Sequence, residues 1–362
     1  MSFNMKSIFL LFQYRVPAMP SIRYNSNSAV KLIYSEYGDP LKVLNRVPYE
    51  VPTPQANEVV VKMLAAPVNP ADINTIQGKY PSRPKLPAVP GNEGVGQVIY
   101  VGDEVKDVSE GDHVVPLTTN LGTWRSHLVL HKNNVFKIPK KLGLIEAATL
   151  TVNPCTAYRM LRDFTLLKPG DTVIQNGANS ACGQNVIQIC HSWGIKTVNV
   201  IRDRPNVEEL KKFLTNLGGT HILTEEELRQ TDIFSSGKLG KPKLALNCVG
   251  GKNALDCMRQ LDNGGIIVTY GGMSREPVTV PTSALIFKDL QVRGFWMTRW
   301  VKENVDSVER FEMFSELISL MMHDELRGPV HKLVSFDNYK EAVENALNLT
   351  GMTGKKYIFL FD

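Results

Sequence analysis

The chain has 362 residues, of which 43% are hydrophobic and 21% charged, with a formal net charge of +5. Those proportions exclude a disordered chain, and the length accommodates two domains, each with its own core. No apolar run approaches the roughly eighteen residues of a membrane span, and no basic stripe interleaved with aromatics marks a nucleic-acid binder.

Residues 1–28 contain no Asp or Glu, the first acidic residue being Glu36, while Lys6, Arg15 and Arg23 are spaced among Phe, Leu, Ile, Ser and Asn. This composition predicts a mitochondrial transit peptide. A secretory signal, the rival reading, would need Ile8 to Phe12 as its apolar core. Cys155, Cys182, Cys190, Cys248 and Cys257 are odd in number and include no C-x-x-C pair, which argues against a disulfide scaffold or a clustered structural zinc site. A reducing compartment fits them best.

Residues 29–152 read as short strands broken by turn residues. The clearest runs are 59–64 and 94–101, followed by 111–115 and 126–130. Prolines recurring from Pro48 to Pro90 keep regular elements short, so this is a β-rich domain with long loops, a partly open barrel. Residues 153–301 change grammar. Strand candidates at 172–176, 197–201, 244–249, 266–270 and 290–297 alternate with helices near 181–193, 206–217 and 253–261. That alternation predicts βαβ units and a Rossmann-type, doubly wound parallel sheet. Residues 302–362 read as a helical stretch from about 303 to 324 and then strands at 330–334 and 356–361, which return the chain to the first domain. The fold class is therefore α/β, with a nucleotide-binding domain inserted into a β-rich one.

The stretch Asp171 to Cys190 organises this reading. A buried strand runs into a turn of small residues, and a helix opens near Ala181. Small residues let a diphosphate approach the backbone, and the helix amides and dipole favour its charge. Gly177 and Gly183 are the only glycines of the turn, so the fingerprint is a loose one. About twenty residues on, the second strand ends in Arg202, Asp203 and Arg204. An NAD site usually places an acidic residue there, whereas paired guanidinium groups suit the 2'-phosphate of NADPH.

The motifs Asn69-Pro-Ala-Asp-Ile-Asn-Thr-Ile-Gln-Gly-Lys-Tyr80 and Gly91-Asn-Glu-Gly-Val-Gly96, in this domain order, resemble the medium-chain dehydrogenase/reductase superfamily. Together with Val152 to Leu161, Asn176 to Ser180, Tyr270 to Met273 and Gly294 to Trp296, they are similar to its mitochondrial trans-2-enoyl-thioester reductases. The resemblance implies a GroES-like catalytic domain and NADPH as cofactor. It also implies an enoyl thioester on acyl carrier protein or coenzyme A as substrate, and a homodimer joined through the nucleotide domains near strand 290–297. Zinc-dependent relatives carry a Cys and a Gly-His-Glu motif. Here Asn69 or Pro70 and Asn92 stand at those places, and neither suits zinc.

Carried over residue by residue, the resemblance makes Tyr80 the proton donor. A phenol is protonated at physiological pH and able to donate. Asn153 falls near the nicotinamide and ribose, and Asn179, Ser180, Ala181 and Cys182 at the diphosphate. Arg202, Asp203 and Arg204 fall at the 2'-phosphate, and Tyr270, Gly271, Gly272 and Met273 in a loop across the cofactor. Phe295, Trp296 and Met297 lie at the nicotinamide end, with Trp296 also a candidate wall of the acyl pocket. Lys356, with Lys355 adjacent, matches a C-terminal lysine near the cofactor. Arg299 and Lys302 are candidates for a basic rim facing an acidic carrier. Two rivals share the fold: a zinc-free NADPH quinone reductase, and a non-catalytic NADPH-binding regulator that has no need of Tyr80.

Overall fold

The computed structural model describes residues 29–346 and 354–362, so the segment read as a transit peptide lies outside the described residues. The chain enters through β1 (Val30–Ile33), the short α1 (Pro40–Val43) and β2 (Asn45–Pro48), β1 and β2 pairing antiparallel. The ten-residue β3 (Glu58–Pro67) is the spine of the first domain. It pairs antiparallel with β4 (Val95–Val101) on one side and with β6 (His127–His131) along Glu58 to Lys62. Register shifts between Val60 and Val61, and between Met63 and Ala65, are bulges that bend the sheet toward a barrel. β5 (His113–Pro116) and β7 (Val135–Ile138) extend it. Between β3 and β4 lies α2 (Pro70–Ile76), which the sequence reading did not separate from its loops. Pro70 at the first turn and the Asp72 carboxylate accepting the Asn69 N–H at 2.8 Å start that helix.

After α3 (Leu144–Thr149) and α4 (Asn153–Asp163) the chain builds a six-stranded parallel sheet from β8 (Thr172–Asn176), β9 (Lys196–Ile201), β10 (His221–Thr224), β11 (Leu244–Asn247), β12 (Ile266–Thr269) and β13 (Gln291–Gly294). Helices α5 (Ala181–Ser192), α6 (Val207–Asn216), α7 (Glu225–Gln230), α8 (Gly251–Gln260) and α9 (Thr282–Lys288) connect them. The spatial order is β10-β9-β8-β11-β12-β13, which reverses direction between β8 and β11. That crevice is the switch point at which doubly wound sheets bind ligands. β8 is buried at all five residues, as a central strand covered on both faces must be.

The apolar run 290–297, read as one strand, is two elements. β13 ends at Gly294, and Met297 opens α10 (Met297–Glu303). The helical stretch read from 303 to 324 is likewise divided. Asn304 ends α10, and the Ser307 hydroxyl accepts the Arg310 N–H at 3.3 Å to cap a separate α11 (Val308–Met322), which packs on α4. The chain rejoins the first sheet at β14 (His331–Ser335), passes through α12 (Tyr339–Asn345) and ends in β15 (Lys356–Leu360), which lies between β14 and β3. Trp124, fully buried, locks this closure. Its ring meets Phe359 edge-on at 5.2 Å, and its indole N–H donates to the Pro67 carbonyl at 3.2 Å.

Candidate active site

A cavity of about 560 Å³ runs between the two sheets, from Arg202 and Arg204 at one end to Tyr80 and Trp296 at the other. The β8–α5 turn forms its floor. Gly177 has φ +57°, and a Cβ there would stand 2.5 Å from the Cys248 sulfur. A Cβ at Gly183 would stand 2.6 Å from the Ala178 carbonyl oxygen. Only glycine fits at either place, so the turn stays close-packed and small. The Ser180 hydroxyl accepts the Gly183 N–H at 3.1 Å, and Asn179, Ser180, Ala181 and Cys182 line the cavity at the helix start. The strand ends beneath are pinned by buried amides. Asn176 Nδ2 donates to Asn247 Oδ1 at 2.7 Å, and Asn247 Nδ2 donates to Thr269 Oγ1 at 3.0 Å.

Arg202 and Arg204 line the cavity where β9 ends, whereas Asp203 turns outward; its carboxylate accepts the Arg204 N–H at 2.8 Å. Burial, and then the neighbouring Arg202 charge, lower the Arg204 pKa. Two guanidinium groups at one end of a cavity floored by a helix N-terminus fit a dinucleotide with a phosphorylated ribose. From β12 the loop Tyr270, Gly271, Gly272 and Met273 runs beside Cys248 and Val249. The Met273 N–H donates to the Cys248 carbonyl at 2.9 Å, and all four loop residues line the cavity. Cys182 is buried and its thiol is pushed up to about 12 by desolvation, which suits packing rather than redox chemistry.

At the far end Phe295, Trp296 and Met297 line the same cavity as Asn153 and Tyr80. The Trp296 indole N–H donates to the Tyr80 hydroxyl oxygen at 2.8 Å, and the two rings meet edge-on at 5.9 Å. The Tyr80 pKa is raised, chiefly by burial; the Trp296 bond pulls the other way and the Asp72 charge adds to the rise. Arg299 and Lys302 are exposed on α10.

Behind Tyr80 lies a cluster that the sequence reading did not single out. Asn69 Nδ2 donates to Glu93 Oε1 at 2.7 Å, and the Val152 N–H donates to Glu93 Oε2 at 3.0 Å. The Lys356 ammonium donates to Asn69 Oδ1, to which Asn153 also donates at 3.4 Å. Asn92 Nδ2 donates to Asp72 Oδ1 at 2.6 Å. Desolvation raises Glu93 to about 7 and Asp72 to about 6 against the opposing pull of Lys356, whose own pKa burial lowers. The cluster separates the adjacent lysines: Lys356 is buried within it and Lys355 is exposed, although both line the cavity. One signal was present in the sequence, since Asn69-Pro-x-Asp72 is the pattern of a helix start with a carboxylate turned back on its own cap. Among the described residues no group of three or more His, Cys, Asp or Glu could hold a metal ion, and no helix is long and apolar enough to cross a membrane.

Residues 55–140 match the alcohol dehydrogenase GroES-like domain family, and residues 181–320 match the zinc-binding dehydrogenase family. The chain is 50% identical over 317 residues to the mitochondrial enoyl-acyl-carrier-protein reductase of Rattus norvegicus, covering 87% of this chain and 85% of that protein. The solved complex of Etr1p with NADP and crotonyl-CoA superposes with a TM-score of 0.85 at 35% identity, over 92% of this chain and 99% of that one. The Etr1p/Etr2p heterodimer of Candida tropicalis gives 0.83 at the same identity and coverage.

Proposed function

This chain belongs to the mitochondrial enoyl-acyl-carrier-protein reductases, and from that premise we propose how its cavity divides the work. The protein is an NADPH-dependent reductase of trans-2-enoyl thioesters, carried on acyl carrier protein or coenzyme A, in the last step of mitochondrial fatty acid synthesis. The residues lining the cavity would hold NADPH, which would supply there the hydride for the substrate's β-carbon. Tyr80 holds the proton that completes the α-carbon. The observation that carries this role is the Trp296 bond. Because the indole N–H donates to a lone pair of the Tyr80 oxygen, that bond does not use the phenol's own proton, which can go to substrate. The same N–H stabilises the phenolate left after transfer, and burial keeps the phenol protonated until then. Arg202 and Arg204 would hold the 2'-phosphate and Asn179 to Cys182 the diphosphate, with Tyr270 to Met273 along the same cavity. Asn153 and Lys356 would position the cofactor's reactive end, with Asn69 holding both side chains.

The test is loss of NADPH absorbance with crotonyl-CoA, with a quinone and with NADH run in parallel. Fast thioester reduction with NADPH is expected, and quinone reduction without thioester reduction would overturn the substrate reading. Arg202→Ala and Arg204→Ala are each expected to weaken NADPH by about tenfold and leave NADH nearly unchanged, since a charge-assisted contact to the phosphate is lost. Equal weakening of both nucleotides would remove the arginines from the 2'-phosphate site.

We also propose that the working unit is a homodimer joined along β13. This strand is at the sheet edge and exposed at all four residues, and Ile286 and Phe287 on the neighbouring α9 are 65% and 78% exposed. An open edge beside an apolar patch is a pairing surface unless a second copy covers it. Light scattering is expected to give twice the single-chain mass, with Phe287→Glu shifting it toward monomer; a monomeric wild type at micromolar concentration would overturn the proposal.

A further inference from the structure

Arg310, in the first turn of α11, is among the most deeply buried side chains of the protein at 2% exposure. One guanidinium nitrogen, Nη1, donates to the Val305 carbonyl at 3.1 Å, and the group lies 5.9 Å from the centre of the Phe314 ring. Its Nε–H has no partner, and among the described residues no carboxylate forms an ion pair with it. Arg310 lines a void of about 20 Å³, with Val301, Met313 and Phe314 around it. Thr151, Val152 and Met297 line both this void and the main cavity, so the void lies directly behind the Tyr80 end. A space of this size holds about one water molecule. A substrate tail entering it must push aside Met297 and Met313, flexible side chains suited to yielding.

We propose that Arg310 is a specificity-determining residue that closes the acyl-tail subsite with a buried, unsatisfied donor. The inference rests on the enoyl-thioester reading of the main cavity. Apolar walls reward each methylene buried against them by about fourfold in affinity. That gain stops at the guanidinium, where a methyl terminus leaves the Nε–H unpaired and a hydrogen-bond acceptor would satisfy it. A buried donor without a partner is disfavoured by about tenfold or more. Tails that stop short of Arg310 are therefore favoured, and among tails that reach it, one ending in a hydrogen-bond acceptor is favoured over one ending in a methyl group.

The experiment measures kcat/KM for straight-chain trans-2-enoyl-CoA substrates from crotonyl to dodecenoyl and for their ω-hydroxy counterparts, each relative to crotonyl-CoA with the same protein. In the wild type the ratio is expected to rise with length and then fall, and at the length where it falls the ω-hydroxy substrate should lead by about tenfold. Arg310→Met should move the fall to longer tails and abolish the ω-hydroxy advantage. Indifference of the wild type to the terminal group at every length overturns the proposal without recourse to any variant, as does an unchanged profile in Arg310→Met. Failure of the wild type to reduce crotonyl-CoA is a separate outcome: it overturns the reductase reading itself and this inference with it.

Discussion

Tyr80→Phe is expected to lower kcat with crotonyl-CoA by about 10²–10⁴-fold, the usual contribution of a positioned proton donor, while NADPH affinity stays within about twofold. The substitution removes one oxygen from a ring already held edge-on by Trp296, so the cavity keeps its shape. The companion variant Trp296→Phe keeps the aromatic wall and removes the N–H that reaches the phenol at 2.8 Å. Its kcat should fall less, by about tenfold, for a hydrogen bond that strengthens as negative charge develops on the oxygen. The two effects differ in their pH signature. The donor must be protonated, and burial has raised its pKa above the ordinary tyrosine value, so the wild-type rate should hold through neutrality and fail only above the ordinary tyrosine range. Trp296 lowers that pKa, so its removal should move the alkaline limb upward. Retention of more than a tenth of the activity in Tyr80→Phe would assign the proton to another group.

Much of the nucleotide half was legible because its signals are local. Thr172 to Asn176 is a short apolar strand, Ser180 is a helix cap, and the change from a two-residue to a helical period marks each crossover. β10 was missed because it is a four-residue edge strand, half-buried along most of its length, with no strong alternation. The β13–α10 division was missed because Phe295, Trp296 and Met297 continue an apolar run, and propensity does not show where a strand hands over to a helix. At the site, the turn, the arginines and Tyr80 were legible from motif and position. Asp203, flanked by both arginines in sequence, was read with them, yet the backbone sends its side chain to its own neighbour's N–H. The Glu93 cluster was not legible at all as a unit. Asn69, Glu93, Val152 and Lys356 come from four distant segments, and only closure of β15 onto β3 brings the lysine to Asn69 and within the influence of the carboxylates. Burial of a charge is a tertiary property, and a lysine in a closing strand looks like any surface lysine until the strand is placed.

Glu93→Ala is expected to destabilise the fold by about 3–5 kcal/mol, because it breaks a buried ionic cluster from one side only. Two donors lose their acceptor, the Asn69 amide and the Val152 N–H, and the buried Lys356 ammonium, which keeps its bond to Asn69, loses the opposite charge that acts on it most. The paired replacement Glu93→Leu with Lys356→Met should recover part of that loss, since it removes the ammonium left without its counter-charge, while the Asn69 amide and the Val152 N–H stay without their acceptor. The pair is read out by unfolding alone, because Lys356 also lines the cofactor cavity. A pH dependence follows with a definite sign. Glu93 and Asp72 have folded pKa values raised above their unfolded ones, to about 7 and about 6. Their contribution is therefore fully present below about pH 4 and is lost as pH rises through 6 and 7, where the folded state must give up protons that the unfolded state has already released. Lys356 acts in the other sense at high pH, since its lowered pKa makes its contribution fall as pH falls through the folded value. Between about pH 5 and 7 the carboxylates dominate. The wild-type melting temperature, corrected by the Glu93→Gln variant as baseline, should fall across that window, the remaining slope in the variant belonging to Asp72. A double-mutant coupling energy near zero together with a pH-independent difference would mean that Glu93 and Lys356 are neighbours without being partners, and that the closing strand is held by its sheet pairing and the Trp124–Phe359 contact without them.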